Sequence, residues 1–199
     1  LTEDGLPTFI NQDGQKTISS FNFQEYEKLD FLKYEGPTDP TITGSFGNIL
    51  TYKNLKLNVF VTYSFGNVIR LDPVFSNAYS DLDAMPKEFK NRWMKAGDEN
   101  VTNIPTIVST RMNQQYAYLN MAYNAYNYSD VRIADGGFIR LKEISLSYDL
   151  PAKVINFFRL NKLQLKLQAT NLCLLYADSK LNGQDPEFFR SGGVSLSLI

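Results

Sequence analysis

Histidine is absent from the 199 residues, cysteine and tryptophan occur once each, and the formal net charge is −1. Each scarcity closes a class of function. Without histidine the commonest general base and metal ligand is missing, and a Ser or Cys triad in its usual form is excluded. A lone cysteine, Cys173, excludes an internal disulfide and a cysteine-built zinc site. It falls on an apolar strand face and reads as a small buried or lipid-facing hydrophobe. A net charge near zero offers no strong field for nucleic acid or acidic lipid. No apolar run approaches the ~18–20 residues of a membrane helix. No signal peptide is visible, and the chain opens at Leu1 in what reads as the middle of a pattern, so a fragment or processed piece is expected. Gly136-Gly137 precedes a strand rather than a helix and makes no phosphate loop. The carboxylate pairs Asp81/Asp83, Asp98/Glu99 and Asp185/Glu187 read as solvated loop surface. No enzyme activity, cofactor or metal is expected.

What the chain has in quantity is phenylalanine (14) and tyrosine (12), a composition that favours strands and interfaces. Its most regular stretches alternate with period two, which sends successive side chains to opposite faces of a strand. Residues 41–52 form one strand, with Ile42, Phe46, Leu50 and Tyr52 on one face and Ile49 as the exception on the other. Lys53-Asn54 is a tight turn in which Asn supplies the positive φ. Residues 55–66 return with an unbroken face of Leu55, Leu57, Val59, Val61, Tyr63 and Phe65. A third strand spans 138–150, with Ile144, Leu146 and Tyr148 on one face. A fourth spans 162–175, with Leu163, Leu165 and Leu167 opposite Gln164, Lys166 and Gln168. In the third strand Arg140 and Lys142 fall in register with Ile144 and Leu146. Either a bulge near Lys142-Glu143 or the exit of the strand from an apolar zone into water explains this.

Between these strands the pattern is irregular. Residues 1–40 read as a loop with local structure, with Phe21 to Tyr26 as a short strand or helical turn. In the long stretch from 67 to 134, a short helix is expected over Asp81–Ala96, starting near Met85-Pro86 and stopped by Gly97-Asp98. A polar run dense in tyrosine follows. A link of this length is functional or a subdomain. Pro151 opens a helical turn over Ala152 to Phe158. Residues 177–193 are loop-like, and Val194–Ile199 starts a new alternation. Length alone suits one domain.

Short links at 53–54 and 150–161 thus alternate with very long ones. That is the arrangement of an outer-membrane β-barrel, with short turns on the periplasmic side and long loops outside. Strands of ~9–11 residues suit a tilted bilayer crossing. Tyr52, Tyr148, Phe157 and Phe158 cluster by the short links as an interfacial girdle does. The competing architecture is a soluble antiparallel sandwich, whose strands average ~5–6 residues. An open sheet of four strands with two bare edges would aggregate, so closure within a larger barrel is expected.

Specific motifs sharpen this. Asp39-Pro40-Thr41-Ile42-Thr43-Gly44-Ser45-Phe46-Gly47-Asn48 leads into Thr51-Tyr52-Lys53-Asn54-Leu55. Asn91-Arg92-Trp93 precedes Gly97-Asp98. Gly137-Phe138-Ile139-Arg140-Leu141-Lys142 is followed by Ser147-Tyr148-Asp149-Leu150-Pro151, and then by Asn171-Leu172 and Asp185-Pro186-Glu187. In order and spacing, these resemble the C-terminal part of SusC/RagA-type TonB-dependent outer-membrane transporters. The resemblance implies an all-β fold, with residues 1–199 forming the C-terminal portion of a larger plugged barrel and 67–134 a long extracellular loop. It implies nutrient import energised through TonB, a SusD-like surface lipoprotein as lid, and a glycan or peptide substrate. A dimer of that two-protein complex is compatible with it. The plug, the TonB-contacting segment and the final strand with its terminal aromatic lie outside the matching residues. The competing function is a secreted or surface all-β module that binds glycans without transport.

The candidate contact residues are aromatic. Tyr116, Tyr118, Tyr123, Tyr126 and Tyr128 could stack on sugar rings or peptide side chains and add hydroxyl hydrogen bonds. Against this stands the reading in which they pack the loops together or meet the lid. Trp93 reads as a loop-core anchor rather than a ligand stack. Arg140 near the outer mouth could attract acidic ligands, or simply line a polar wall.

Overall fold

The computed structural model describes residues 1–20, 32–75, 86–157 and 159–189. The expected elements at Phe21–Tyr26 and Val194–Ile199, the helix start at 81–85, the pair Asp81/Asp83 and the girdle residue Phe158 lie outside them. In chain order the strands are β1 Phe9–Ile10, β2 Lys16–Thr17, β3 Ile42–Tyr52, β4 Leu55–Phe65, β5 Val68–Arg70, β6 Ile133–Asp135, β7 Phe138–Asp149 and β8 Gln164–Ala177. The helices are α1 Thr110–Gln115, α2 Tyr118–Asn127 and α3 Ala152–Phe157. The chain divides into two compact units: residues 1–35 and 70–134 form one, residues 36–69 and 135–189 the other.

The second unit is a four-stranded antiparallel sheet in the order β3-β4-β7-β8. The residues from 66 to 137 are an excursion between two strands that pair directly. Register follows the hydrophobic pattern. Tyr52, Leu55, Tyr148 and Leu165 line up across the sheet, as do Leu50, Leu57, Leu146 and Leu167. A slip by one residue would send every one of these side chains to the other face. The turn between β3 and β4 differs in detail from expectation. Lys53, with φ 52°, takes the left-handed conformation, and Asn54 instead donates its side-chain amide to the Asp149 carbonyl (2.9 Å).

The parity break in β7 is a bulge. Phe60 pairs with Glu143 and Val61 with Leu141, which leaves Lys142 as the extra residue. Parity is thereby reset, and Leu141 and Ile139 rejoin the face of Val61 and Tyr63. The alternative, a strand leaving the apolar zone at Lys142, is corrected: the apolar face continues beyond it. Strand β8 bends at the same level, where Asn171 takes φ 52° and the pairing with β7 shifts. Asn adopts this conformation at lower cost than a bulky residue.

The first unit holds a core of Leu6, Val74, Phe75, Phe89, Leu119, Tyr123 and Tyr126. Phe75 sits at its centre, with ring centroids 4.6 Å from Tyr123, 5.3 Å from Phe89 and 5.5 Å from Tyr126. Helix α2 turns Leu119, Ala122, Tyr123 and Tyr126 to one side at the 3.6 period. Asn127, buried at its end, accepts from the Val74 and Phe75 amides and donates to the Phe75 carbonyl, fixing that segment against the helix. Helix α1 starts at Ser109, whose hydroxyl caps the Met112 amide. The helix expected up to Ala96 is instead a 3-10 turn over Lys87–Asn91. It stops there because Arg92 is extended and the Trp93 amide bonds to the Ile104 carbonyl (2.9 Å).

Candidate functional site

The sheet has two chemically different faces; β3 and β8 are largely exposed on both, and the buried positions of β4 and β7 lie on the polar one. On the apolar face Phe46, Leu50, Tyr52, Leu165 and Leu167 are exposed, Leu167 at 75%. Asn48 is the polar interruption on β3 of a row that continues through Val59, Ile144 and Ala169. The buried side chains of β4 and β7 are Ser64, Ser145 and Arg140, all on the polar face. That face also carries Asn58, whose amide donates to Glu143 (3.2 Å), and Lys56, placed with Lys162 about Asp149 at 4.0 and 3.9 Å.

Arg140 is the most enclosed charge of this face, 4% exposed. The loop after β8 supplies its partners. Asp185 accepts from its guanidinium, and Glu187 lies 3.1 Å from Nε. Lys142 is 3.5 Å from the other Glu187 oxygen. The Phe138 and Phe188 rings approach the guanidinium at 5.4 and 5.9 Å. Partial burial raises the Asp185 carboxyl, but the Arg140 hydrogen bond, the Glu187 amide and the nearby positive charges outweigh it, leaving Asp185 below the usual carboxylate range. Arg140 therefore holds its own loop. Two carboxylates of the same chain neutralise it. Asp185/Glu187, read from sequence as solvated surface, are the anchors of this contact.

The tyrosines divide. Tyr123 and Tyr126 belong to the loop-unit core, at 9% and 4% exposure, and Tyr123 donates its hydroxyl to the Thr106 carbonyl (2.7 Å). Helix α2 turns both inward. Burial pushes the Tyr126 phenol up to about 12. Tyr116, Tyr118 and Tyr128 remain exposed. Tyr116 and Tyr118 lie 5.7 Å apart between centroids, and Tyr128 sits under the Arg70 guanidinium at 5.7 Å. Trp93 is a loop anchor. Its indole packs on Gly5, where a Cβ would overlap the ring, and its N–H donates to Glu99 (3.0 Å). The Glu99 carboxyl is held below its usual range by backbone amides and by this indole N–H.

Sequence reasoning missed three residues that organise this unit. Arg132, 2% exposed, pairs with Glu88 (2.7 Å) and donates to the Asp72 carbonyl. Nothing in their spacing, 44 residues for the ion pair, announces the contact. Asn127, the last residue of α2, lies within the tyrosine run and could have been read as a helix terminus. Among the described residues no cluster of His, Cys, Asp or Glu suits a metal, and no helix is long and apolar enough to cross a membrane.

No known protein-family model matches the chain. It is 26% identical to TonB-dependent receptor P3 of Formosa agariphila over 186 residues, covering 94% of this chain and 16% of that protein. Its fold is that of part of solved RagAB structures. The RagAB peptide importer in the open-open state gives a TM-score of 0.61 at 19% identity, covering 94% of this chain and 19% of that one. A structure of the RagAB peptide transporter gives 0.56 at 22% identity over the same shares, and the closed-closed state 0.56 at 22% over 92% and 18%. The chain thus spans less than a fifth of the length of these proteins. The likeness of this chain to SusC/RagA-type TonB-dependent transporters, carried by its motifs, therefore holds in both sequence and fold.

Proposed function

We propose that this chain is a stretch of the wall and loops of an outer-membrane β-barrel that imports nutrients under TonB control, with a SusD-like lipoprotein as lid and a glycan or peptide as substrate. One observation carries the reading. The sheet presents its large apolar side chains outward while its buried side chains, Ser64, Ser145 and Arg140, are polar. Water does not favour such a face, but a bilayer does, and barrel strands alternate apolar-out and polar-in. Strands of 11 to 14 residues suit a tilted crossing. The outer edges of β3 and β8 are unpaired within the described sheet, and in hydrocarbon every backbone group needs a partner, which a closed barrel supplies. A soluble glycan-binding sandwich would need a second sheet over the apolar face, and no described strand provides it.

The short links in this reading, at Lys53-Asn54 and helix α3, are the periplasmic ones, as short turns are in such barrels, and the long excursion from Gly66 to Gly137 is an outer loop. In this reading Tyr116, Tyr118 and Tyr128 are the aromatic surfaces open to substrate or lid. The test is spin labelling of the intact protein in the outer membrane. Labels at Val59 and Leu167 should relax with oxygen, and one at Ser147 with a water-soluble nickel chelate. Preferential nickel accessibility at Val59 and Leu167 would overturn the barrel reading. Uptake assays with defined oligosaccharides and peptides then separate the two substrate classes.

A further inference from the structure

The near-zero charge of the whole chain conceals a local imbalance at the short-link end of the sheet. Residues 51–56 and 147–166 contain Lys53, Lys56, Lys153, Arg159, Lys162 and Lys166, and Asp149 is their sole acid. Lys56 and Lys162 share Asp149, on the polar face. Lys53, Lys153 and Arg159 belong to the links themselves and are exposed. The two links lie side by side: the Asp149 amide bonds to the Asn54 carbonyl (2.9 Å), and the Asn54 side chain returns a bond to the Asp149 carbonyl. At the opposite end, by contrast, Arg140 and Lys142 are met by Asp185 and Glu187.

Large apolar groups accompany these cations. Phe157 on α3 is 82% exposed and Tyr52 71%, with Leu160 also exposed. Lys53 reaches over the Tyr52 ring at 5.4 Å. The row Tyr52, Leu55, Tyr148, Leu165 continues directly into the apolar face above it. Apolar side chains exposed next to uncompensated cations, in continuity with a hydrocarbon-facing sheet, match the layered chemistry of an anionic lipid surface. An acidic protein would account for the cations but not for that continuity.

We infer that the short-link end is a docking surface for anionic phospholipid headgroups, seated by Lys53, Lys153 and Arg159 and anchored by Tyr52 and Phe157. This rests on the barrel-wall reading. It adds a lipid preference confined to one end of the sheet.

The experiment uses the full-length transporter in a cysteine-free background, reconstituted in equal parts phosphatidylglycerol and phosphatidylcholine. A bimane fluorophore on Asn156→Cys is quenched by either lipid carrying a nitroxide high on its acyl chain. The expected result is a several-fold preference for labelled phosphatidylglycerol, since one cation near an anionic surface is worth roughly fivefold in association. The preference should vanish in Lys53→Gln/Lys153→Gln/Arg159→Gln and weaken in high salt. Equal quenching by the two lipids overturns the inference. So does quenching by neither while bimane on Leu167→Cys is quenched, since a protein then covers this end. If the Leu167→Cys label is also unquenched by lipid, the barrel-wall reading itself fails.

Discussion

Tyr63 on β4 lies across Gly44, its partner on β3, so that a Cβ on Gly44 would run into the phenol ring and hydroxyl. Gly47 stands in the same relation to Phe60 on the other face. The glycines of this strand are thus packed rather than empty positions, each covered by an aromatic ring from the neighbouring strand. Gly44→Val should destabilise the intact barrel by about 1–3 kcal/mol through overpacking. Tyr63→Ala should relieve that clash, so the two changes should couple by at least ~0.5 kcal/mol. A double-mutant cycle measured by urea unfolding in lipid checks this, and strict additivity would contradict the contact.

The two faces predict opposite tolerance of charge. Val59→Lys places an ammonium on the apolar face near the middle of β4 and should cost ~2–4 kcal/mol in a bilayer. Asn58→Lys, one residue away, points to the polar face beside Glu143 and should cost far less. Equal costs in lipid-vesicle unfolding would argue that both faces meet the same medium.

Strands, register face and bulge were legible in the sequence because each is a local alternation. Lys142 stood out because it broke parity, and the break marked the bulge itself. The loop unit was much less legible. Leu119, Ala122, Tyr123 and Tyr126 have helical spacing, but they sit in a run where tyrosine and asparagine recur at nearly every phase, which obscures the apolar stripe. The core partners come from far along the chain, Leu6 and Phe75 among them, and a one-dimensional pattern shows faces without naming what covers them. Arg140 is the clearest case. Its place on the polar face follows from the bulge, whereas Asp185, 45 residues on, is joined to it only by the fold.

That division of the tyrosines is itself testable. Tyr123→Ala removes a buried ring from the core against Phe75 and should cost ~3–5 kcal/mol of loop-unit stability. Tyr116→Ala and Tyr118→Ala remove exposed rings and should leave stability within about 0.5 kcal/mol. If they touch substrate, uptake by these two variants falls with the loop unit still resistant to protease. Protease resistance of Tyr123→Ala equal to that of the native protein would overturn the assignment of that ring to the core.

Alkali should find the same core. Burial raises the Tyr126 phenol to about 12, so the neutral form is favoured in the folded state. The stability this contributes is fully present below the ordinary phenol range near 10 and is lost as pH climbs through about 12. Tyr126→Phe, which cannot ionise, should flatten the loop unit's stability between those limits while lowering it at neutral pH by the lost hydroxyl contact with Arg132.

Acid should act on the other anchor. Asp185 is held below the usual carboxylate range, so its contribution is present above pH ~4 and drains away as pH falls through the depressed value. Protonation leaves the buried Arg140 with Glu187 alone. The loop from Asp178 to Phe189 should therefore lose its hold on β7 before the sheet, held by cross-strand bonds, gives way. Asp185→Asn should loosen the loop already at neutral pH, at ~1–3 kcal/mol for a hydrogen bond to a charged group, and remove most of the acid dependence. Hydrogen exchange supplies the readout. The Asp135 amide donates to the Asp178 carboxylate (2.8 Å) and reports the loop, while the Leu150 amide donates to Leu163 at the far end of the sheet (3.0 Å). After correction for intrinsic rates, acid should deprotect Asp135 first. Simultaneous loss at both amides would mean that loop and sheet open together, and that the Arg140 contact is no separate latch.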